Sequence, residues 1–223
     1  MRFPIHIATD MMKWQLKNWW RGNERYPYVL MLEPLHTCNL ACLGCTTERH
    51  TGKLKDRLST LRVGDPLDKN TDVGAINSRA QLEKITELVQ SGVDEGAELY
   101  QPTCDLPDRG WFFRPTLFTG VAQSHRIASE EIFGPVLSVL TFRTPDEAVE
   151  KANNTPYGLS AGIWTEKGSR ILAMVKAMKA GVVWANTFNK FDPTSPFGGY
   201  KESGFGREGG VHGLHAYVRL EDR

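Results

Sequence analysis

Three cysteines lie within eight residues of one another near the start of the chain, at Cys38, Cys42 and Cys45. Their CxxxCxxC spacing lets three thiolates converge on one face of a compact loop, and soft thiolates are the ligands that iron–sulfur clusters take. Three thiolates would hold three irons of a 4Fe–4S cluster and leave the fourth iron open to another ligand. The spacing alone also fits three buried or fortuitous cysteines. Cys104 stands apart and is expected to be an unreactive loop cysteine.

A second candidate site is the acidic pair Glu130 and Glu131, followed by Phe133, Gly134 and Pro135. A carboxylate can accept hydrogen bonds from both hydroxyls of a ribose, and an aromatic ring can pack against a nicotinamide. A turn held by Gly and Pro would present the two groups together. Taken alone, the same residues also fit an ordinary helix end and turn, so the interpretation depends on further motifs.

The elements that must position these residues follow from the apolar periodicity. Residues 26–32 predict a strand that leads into the cysteine loop, and residues 10–20 predict an amphipathic helix before it. The rest of the chain alternates strand-like and helix-like segments, which indicates an α/β fold with a largely parallel sheet and flanking helices. The predicted helices are 53–59, 78–91, 145–153 and 167–179, and the predicted strands are 135–142, 160–164, 181–185 and the terminal 215–220.

Composition and charge narrow the class of protein. The 223 residues carry 27 Lys and Arg against 26 Asp and Glu, and no basic run is long enough to follow a phosphate backbone, so we expect no nucleic acid partner. No apolar stretch approaches the ~20 residues that span a bilayer, and the N-terminus lacks the apolar core of a signal peptide. Four cysteines in a chain of this length do not make a disulfide framework. We therefore expect a cytoplasmic protein without a membrane span.

The first 50 residues resemble the N-terminal end of radical S-adenosylmethionine enzymes, in particular the hopanoid-biosynthesis (adenosyl hopene transferase) family. The resemblance rests on the strand-like segment 26–32 and on the cysteine motif that follows it. It implies that Cys38, Cys42 and Cys45 bind a 4Fe–4S cluster whose open iron holds S-adenosylmethionine. That family completes its cofactor site with later strands of a partial barrel, and the rest of this chain does not resemble them.

Residues 51–223 resemble the C-terminal, catalytic-domain part of NAD(P)-dependent aldehyde dehydrogenases. Five motifs carry the resemblance, in the family's order, at residues 62–76, 130–135, 153–160, 181–186 and 195–204. A GxGxxG run at residues 204–209 satisfies the dinucleotide fingerprint, but it neither follows a strand directly nor lies in a βαβ unit. The family's C-terminal loop explains this run better.

The aldehyde dehydrogenase resemblance implies roles for several side chains. Glu131 would bind the nicotinamide ribose of NAD(P), and Phe133 would contact the nicotinamide ring. Phe197 would line the aldehyde tunnel beside a substrate-anchoring loop at residues 187–191. The candidate pocket residues are therefore Asn186, Phe191 and Phe197.

No catalytic residue is assigned, because the family's nucleophilic cysteine precedes Gly64 by a spacing that falls here on Pro34. Cys38 is the nearest thiol, but the small residues that surround the family's nucleophile are not found beside it. The base, the oxyanion asparagine and the dinucleotide-binding half also precede Arg62 in that family. The chain is therefore expected to be incomplete and inactive alone.

These resemblances divide the chain into residues 1–50 and 51–223, and the junction between the two parts lies inside the charged segment 46–61. Two incomplete resemblances joined in this way suggest recombination, a truncated gene or a sequence-assembly artefact. Three functions follow: an aldehyde dehydrogenase-like oxidoreductase, an iron–sulfur protein of radical-enzyme descent, and a non-catalytic module. The module would dock on aldehyde dehydrogenase subunits, or on a second copy of itself, through the terminal strand 215–220.

Overall fold

The computed structural model describes residues 29–33, 37–40 and 47–218, which form six helices and nine strands. The helices are α1 Thr47–Ser59, α2 Arg79–Asp94, α3 Arg126–Ser129, α4 Pro145–Asn153, α5 Gly168–Ala177 and α6 Gly210–Leu214. The strands are β1 Val29–Glu33, β2 Thr37–Leu40, β3 Glu98–Tyr100, β4 Thr116–Thr119, β5 Val136–Ser138, β6 Tyr157–Gly158, β7 Ser160–Trp164, β8 Val182–Ala185 and β9 Tyr200–Lys201. The predicted helix at residues 10–20 lies outside the described part of the chain.

Local capping explains where the two best-predicted helices begin. The Ser78 hydroxyl accepts a hydrogen bond from the Gln81 N–H at 3.2 Å and caps α2. Thr144 does the same for the Glu147 N–H at 3.1 Å, and Pro145 takes the first position of α4, where its missing N–H costs nothing. The observed bounds of α4 and β7 are the predicted ones, because each has strong local signals.

Two of the three sheets among the described residues are mixed and the third is antiparallel, so the α/β class holds but the described strands are not largely parallel. Strand order is β2-β1-β7-β8 in the first sheet, β3-β4-β5 in the second and β6-β9 in the third. Among the described strands, only the pairs β4–β5 and β7–β8 are parallel. An antiparallel pair needs only a short connection, whereas a parallel pair needs a crossover. The close spacing of β1 and β2 therefore allows only the antiparallel pairing that is observed.

The position of Cys38 also differs from the expectation. It lies on β2, opposite Met31 of β1, rather than in a loop that follows a strand. The predicted strand 26–32 corresponds to β1, Val29–Glu33, and β1 in turn pairs antiparallel with β7. The cysteine segment therefore begins inside a hairpin that joins the edge of the first sheet.

Two apolar clusters form most of the described core. The first packs α2 and α3 against β4 and β5, and its most buried members are Ile85, Leu88, Phe118, Ile127 and Val136. The second packs α4 and α5 against β7, and its most buried members are Ala148, Ala152, Ala161, Ile163 and Met174. The first cluster supports the 130–135 motif and the second supports the strands that lead into the 181–186 motif.

The terminal strand predicted at 215–220 is not formed by residues 215–218, and residues 219 and 220 lie outside the described part of the chain. Helix α6 ends at Leu214, whose carbonyl accepts hydrogen bonds from the Tyr217 N–H at 2.9 Å and the Val218 N–H at 3.1 Å. These backbone groups are satisfied by a turn instead of a strand ladder. A screen of the described helices finds none that is long and apolar enough to cross a membrane.

Candidate active site

The two adjacent glutamates of the 130–135 motif have different partners. The Arg126 guanidinium donates to both carboxylate oxygens of Glu130, from Nε at 2.7 Å and from Nη2 at 3.1 Å. Its Nη1 donates to Glu87 on α2 at 3.0 Å, and its backbone N–H donates to Glu95 at 2.8 Å. The hydrogen bonds from Arg126 lower the pKa of the Glu130 carboxyl. The Glu130 carboxylate is therefore engaged in an ion pair with Arg126, the first residue of α3.

The pKa of the Glu131 carboxyl is shifted in the opposite direction from that of Glu130. Burial raises the pKa of its carboxyl, and the positive charge of Lys84 opposes that rise without cancelling it. Tyr157 of β6 lies beside it: burial and then the charge of Glu131 raise the pKa of the Tyr157 phenol, while a hydrogen bond with the Glu131 backbone lowers it. Within the described part of the chain, no ion pair holds the Glu131 carboxylate. Of the two glutamates, Glu131 is the one free to accept ligand hydroxyls.

Phe133 lies on a tight turn that α2 supports from below. Its φ is +52°, a left-handed conformation that is uncommon for a bulky residue, and 49% of the residue is exposed. The Gln81 side chain donates to the Ile132 carbonyl at 2.7 Å. A Cβ on Gly134 would lie 2.7 Å from the Ile85 side chain, so a larger residue there would have to displace Ile85. The packing fixes an exposed aromatic ring in a strained backbone position, which is common at ligand sites.

The motif at 195–204 is joined to the motif at 153–160, next to Glu131. Strand β9 pairs antiparallel with β6, with Tyr157 opposite Lys201. The Lys201 ammonium donates to the carbonyls of Asn153 at 2.8 Å and Thr155 at 2.9 Å. The Gly158 N–H donates to the Ser203 hydroxyl at 3.0 Å. Three sequence motifs that are far apart in the chain therefore meet around Tyr157.

An aromatic cluster joins β7 and β8 to the loop that follows β8. The predicted pocket residues Phe191 and Phe197 meet edge to face, with ring centroids 5.0 Å apart. Phe188, within the predicted loop 187–191, belongs to the same cluster, and the sequence interpretation gave no role to two further members, Trp164 and Trp184. Trp184 lies 5.5 Å from Phe191 and 4.8 Å from Phe188, and Phe188 lies 6.3 Å from Trp164. Trp184 belongs to the predicted 181–186 motif, but only its position on β8 shows that it contacts the loop.

Asn186, the third predicted pocket residue, has its side chain on the backbone of Thr165. Its Oδ1 accepts from the Thr165 N–H at 2.8 Å, and its Nδ2 donates to the Thr165 carbonyl at 3.0 Å. The residue adopts a φ of +53° directly after β8. Asn tolerates this left-handed conformation better than most residues. The amide therefore ties the start of the substrate-loop segment to the end of β7.

The glycines of the C-terminal motifs allow backbones to approach closely. A Cβ on Gly198 would lie 2.0 Å from the Gly206 carbonyl oxygen. Gly204 and Gly209 adopt φ values of +89° and +70°. Phe197 exchanges two backbone hydrogen bonds of 2.7 Å with Glu208, which closes this loop. The GxGxxG run thus serves turn geometry and packing of the loop.

The cysteine candidates are only partly within the described residues. Cys38 lies on β2, whereas Cys42, Cys45 and the expected nucleophile position at Pro34 lie outside. In the described part of the chain, no group of three His, Cys, Asp or Glu side chains is placed to hold a metal. The iron–sulfur site therefore stays a prediction, as does the division of the chain at residue 50, which falls within α1.

Residues 42–222 match the model of the aldehyde dehydrogenase family. An aldehyde dehydrogenase from Enchytraeus buchholzi is 45% identical over 166 residues, which cover 74% of this chain and 33% of that protein. Human retinal dehydrogenase 2 is 47% identical over 159 residues, which cover 71% of this chain and 31% of that protein. The chain thus spans about a third of the length of these relatives.

Solved structures agree with this match. An indole-3-acetaldehyde dehydrogenase mutant from P. syringae, in complex with NAD+ and IAA, superposes with a TM-score of 0.73 at 41% identity, and the alignment covers 78% of this chain and 36% of that one. A betaine aldehyde dehydrogenase from Staphylococcus aureus, in complex with NAD+, gives a TM-score of 0.72 at 34% identity, covering 77% and 35% of the two chains. These similarities extend over most of the described residues.

Proposed function

Because this chain belongs to the aldehyde dehydrogenase family of oxidoreductases, we propose that it contributes the nicotinamide-ribose and aldehyde-contacting part of an NAD(P)-dependent oxidation of an aldehyde to an acid. The observation that carries the proposal is the split between the adjacent glutamates. Arg126 occupies Glu130, whereas no ion pair within the described residues holds the Glu131 carboxylate, and Phe133, two residues further along the chain, is 49% exposed. NAD+ in the related solved structures supports NAD(P) as the cofactor.

The proposed division of labour follows from the chemistry of each side chain. The ionised Glu131 carboxylate accepts hydrogen bonds from the two ribose hydroxyls, and Phe133 packs against the nicotinamide ring and limits its rotation. NAD(P), when bound, accepts the hydride from the substrate. Phe191 and Phe197 form an apolar wall for the aldehyde. A protonated Glu131 would bind the ribose more weakly than the carboxylate does. Because the pKa of this carboxyl is raised, that weakening begins at a higher pH than for an ordinary glutamate.

The remaining chemistry needs a thiolate, which attacks the aldehyde carbonyl, and a water, which hydrolyses the thioester after hydride transfer. The aldehyde loses two electrons to NAD(P), and water supplies the second oxygen of the acid. We assign neither the nucleophile nor the base to this chain, because the expected nucleophile position is Pro34. We propose that this chain alone does not turn over aldehydes.

The test compares two neighbouring substitutions, Glu131→Gln and Glu130→Gln, in the binding of nicotinamide mononucleotide by NMR titration. We expect the probe to shift the resonances of Phe133 in the unmodified chain and in Glu130→Gln, and binding to weaken about tenfold in Glu131→Gln because a charge-assisted hydrogen bond is replaced by a neutral one. The far-ultraviolet circular dichroism of both variants checks the fold. Equal binding by both variants would contradict the proposed role of Glu131.

A second proposal concerns the CxxxCxxC spacing of Cys38, Cys42 and Cys45, whose thiolates would hold a 4Fe–4S cluster with an iron open to S-adenosylmethionine. Anaerobic reconstitution with iron and sulfide tests it. We expect a brown protein with a broad visible absorption, and a colourless product after all three cysteines are changed to Ala. A colourless unmodified chain would remove this function. Added S-adenosylmethionine should perturb the spectrum if the fourth iron is open.

A third proposal is a non-catalytic module that docks on an aldehyde dehydrogenase subunit or on a second copy of this chain. The apolar side chains of Leu214 and Tyr217 support it, because they are 58% and 88% exposed at the C-terminal end. Co-purification with a full-length relative would favour docking, and a second copy would appear as a dimer by light scattering. A strictly monomeric chain that binds neither would exclude this proposal.

A further inference from the structure

We infer that Trp184 is a positioning residue that fixes Phe191 against the aldehyde, and that this arrangement selects planar, apolar aldehydes. The inference rests on the proposed function, since it concerns the same aldehyde-contacting surface. Trp184 is only 9% exposed and lies on β8, so it does not itself offer a surface to a ligand. Its indole hydrogen bond to Lys190 and its ring contacts with Phe188 and Phe191 lead into the loop that carries Phe191.

Two kinds of contact join Trp184 to this loop. The indole N–H donates to the Lys190 carbonyl at 3.0 Å, directly before Phe191. The indole ring also meets Phe191 edge to face, at 5.5 Å and 86°. A hydrogen bond to the preceding peptide and a ring contact to the side chain together restrict both the backbone and the ring plane of Phe191. Edge-to-face geometry is the arrangement that aromatic quadrupoles favour.

The strands behind the loop provide room for this arrangement. Gly162 of β7 lies opposite Trp184 in the parallel register. A Cβ at Gly162 would lie 2.5 Å from the Trp164 ring and 3.0 Å from the Phe188 ring, so the absence of a side chain leaves room for both rings beside β7. Phe188 in turn lies 4.8 Å from Trp184. The loop is thus held from the strand side at both Phe188 and Phe191.

The contacts with Trp184 and Phe188 hold the loop so that the ring of Phe191 remains exposed. Phe191 is 59% exposed although two rings touch it, Trp184 on one side and Phe197 at 5.0 Å and 79° on another. Both neighbours meet it edge to face, so its remaining exposed surface is held in a fixed plane. A flat ligand gains stacking on such a surface, whereas a puckered ligand of equal apolar area gains only burial. Planarity is therefore the property that a fixed Phe191 would select.

The test uses two unreactive amides in place of aldehydes: phenylacetamide, which is planar at its ring, and cyclohexylacetamide, which is not. Their dissociation constants are measured by NMR titration of the full chain. We expect the unmodified chain to prefer phenylacetamide, and Trp184→Phe, which loses the N–H bond to Lys190, to reduce that preference roughly threefold to tenfold. A purely structural role of Trp184 would weaken both amides equally, and that result would overturn the inference.

Two further variants separate this inference from the proposed function. Trp111→Phe makes the same change at a tryptophan that lies outside this aromatic cluster and is 43% exposed, and we expect it to leave the preference unchanged. Phe191→Leu removes the contacting ring itself. If Phe191→Leu leaves phenylacetamide binding unaltered, the proposed aldehyde surface is wrong. If Phe191→Leu weakens binding while Trp184→Phe keeps the full preference, only the role of Trp184 is wrong.

If Trp184→Phe fails to fold, the indole N–H resonance of Trp184 in the unmodified chain provides a second test. The indole N–H of Trp184 is bonded to the peptide next to Phe191. Phenylacetamide should therefore shift this indole resonance in the unmodified chain more than cyclohexylacetamide does at equal occupancy. Equal shifts, or no shift at saturation, would overturn the inference.

Discussion

The Arg126 guanidinium donates hydrogen bonds to both carboxylate oxygens of Glu130, at 2.7 and 3.1 Å. This pair distinguishes two adjacent acids, because within the described part of the chain no ion pair holds the carboxylate of Glu131, which follows directly. The two carboxyls consequently have pKa values shifted in opposite directions, down for Glu130 and up for Glu131. The residue types alone give two equal candidates. The family resemblance favours Glu131, and the contacts of Arg126 with Glu130 give an independent reason for the same choice.

The first prediction is that Glu131→Gln and Glu130→Gln change the pH dependence of stability with opposite signs. Burial raises the folded-state pKa of Glu131 above 4.5, so its favourable contribution exists at low pH and is lost as pH rises through that pKa. Glu131→Gln should therefore gain stability relative to the unmodified chain as pH rises from below 4.5 to neutral. Urea unfolding across this range measures the difference.

Glu130 serves as the internal control for that experiment. Its pKa is lowered from 4.5, so its contribution is present above the unfolded-state pKa and is lost as pH falls through the folded-state pKa. Glu130→Gln should be less stable than the unmodified chain at neutral pH, by less than about 1 kcal/mol because the pair is exposed to water. The difference should vanish in acid. Parallel pH profiles for the two variants would contradict the assignment of their environments.

The second prediction concerns Gly134 under the Phe133 turn. Gly134→Ala would place a Cβ 2.7 Å from the side chain of the fully buried Ile85, and such overpacking costs about 1–3 kcal/mol of unfolding free energy. Gly168→Ala is the matched control, because its Cβ would meet nothing within 4 Å at the start of α5. We expect the control to be neutral or stabilising by up to about 1 kcal/mol. Equal midpoints in urea would show that α2 does not support this turn closely.

The third prediction concerns the close backbone approach in the C-terminal loop. Gly198→Ala would put a Cβ 2.0 Å from the Gly206 carbonyl oxygen, and a backbone oxygen cannot rotate away as a flexible side chain can. We expect a loss of at least about 3 kcal/mol, at the upper end for overpacking. Gly206→Ala has no atom within 4 Å of its Cβ, so its effect should stay within about 0.5 kcal/mol. Thermal unfolding of the two variants makes the comparison, and a mild Gly198→Ala would argue against this packing.

The fourth prediction separates the two roles of Asn186. Asn186→Ala removes both side-chain bonds to Thr165 and leaves a residue with a Cβ at φ +53°, so we expect a loss of about 2–3 kcal/mol. Asn186→Gly also removes the bonds but suits the left-handed backbone, and its loss should be about 1 kcal/mol smaller. Denaturant unfolding measures both. If Ala proves as stable as Gly, the backbone conformation imposes no strain here.

Elements with local signals were predictable from sequence. The bounds of α4 follow from Thr144 and Pro145 at its start, and the bounds of β7 follow from an apolar run of strand length. The pairing of β6 with β9 was not predictable, because Tyr157 and Lys201 lie far apart in sequence and each strand has only two residues. The predicted strand at 215–220 failed over residues 215–218, where a turn onto Leu214 satisfies the backbone instead.

The candidate site was predicted as a set of residues rather than as an arrangement. Family motifs identified Glu131, Phe133, Phe191 and Phe197, and the structure brings the last two into direct contact. The support of these residues was not visible in the sequence. Arg126 and Trp184 act through contacts with other elements, and neither pattern nor periodicity reports such contacts. Asn186 was expected to face the pocket, and its amide is instead engaged with Thr165.

The two hydrogen bonds between Phe197 and Glu208 make the C-terminal loop open and close as one cooperative unit. While that bridge persists, the backbone of Phe197 stays beside Glu208, so we expect fraying from the C-terminal side to stop at Glu208. Once the bridge breaks, the Phe197 ring and the loop are released in the same event. Proteases that cut within residues 198–207 should therefore report the integrity of this bridge directly.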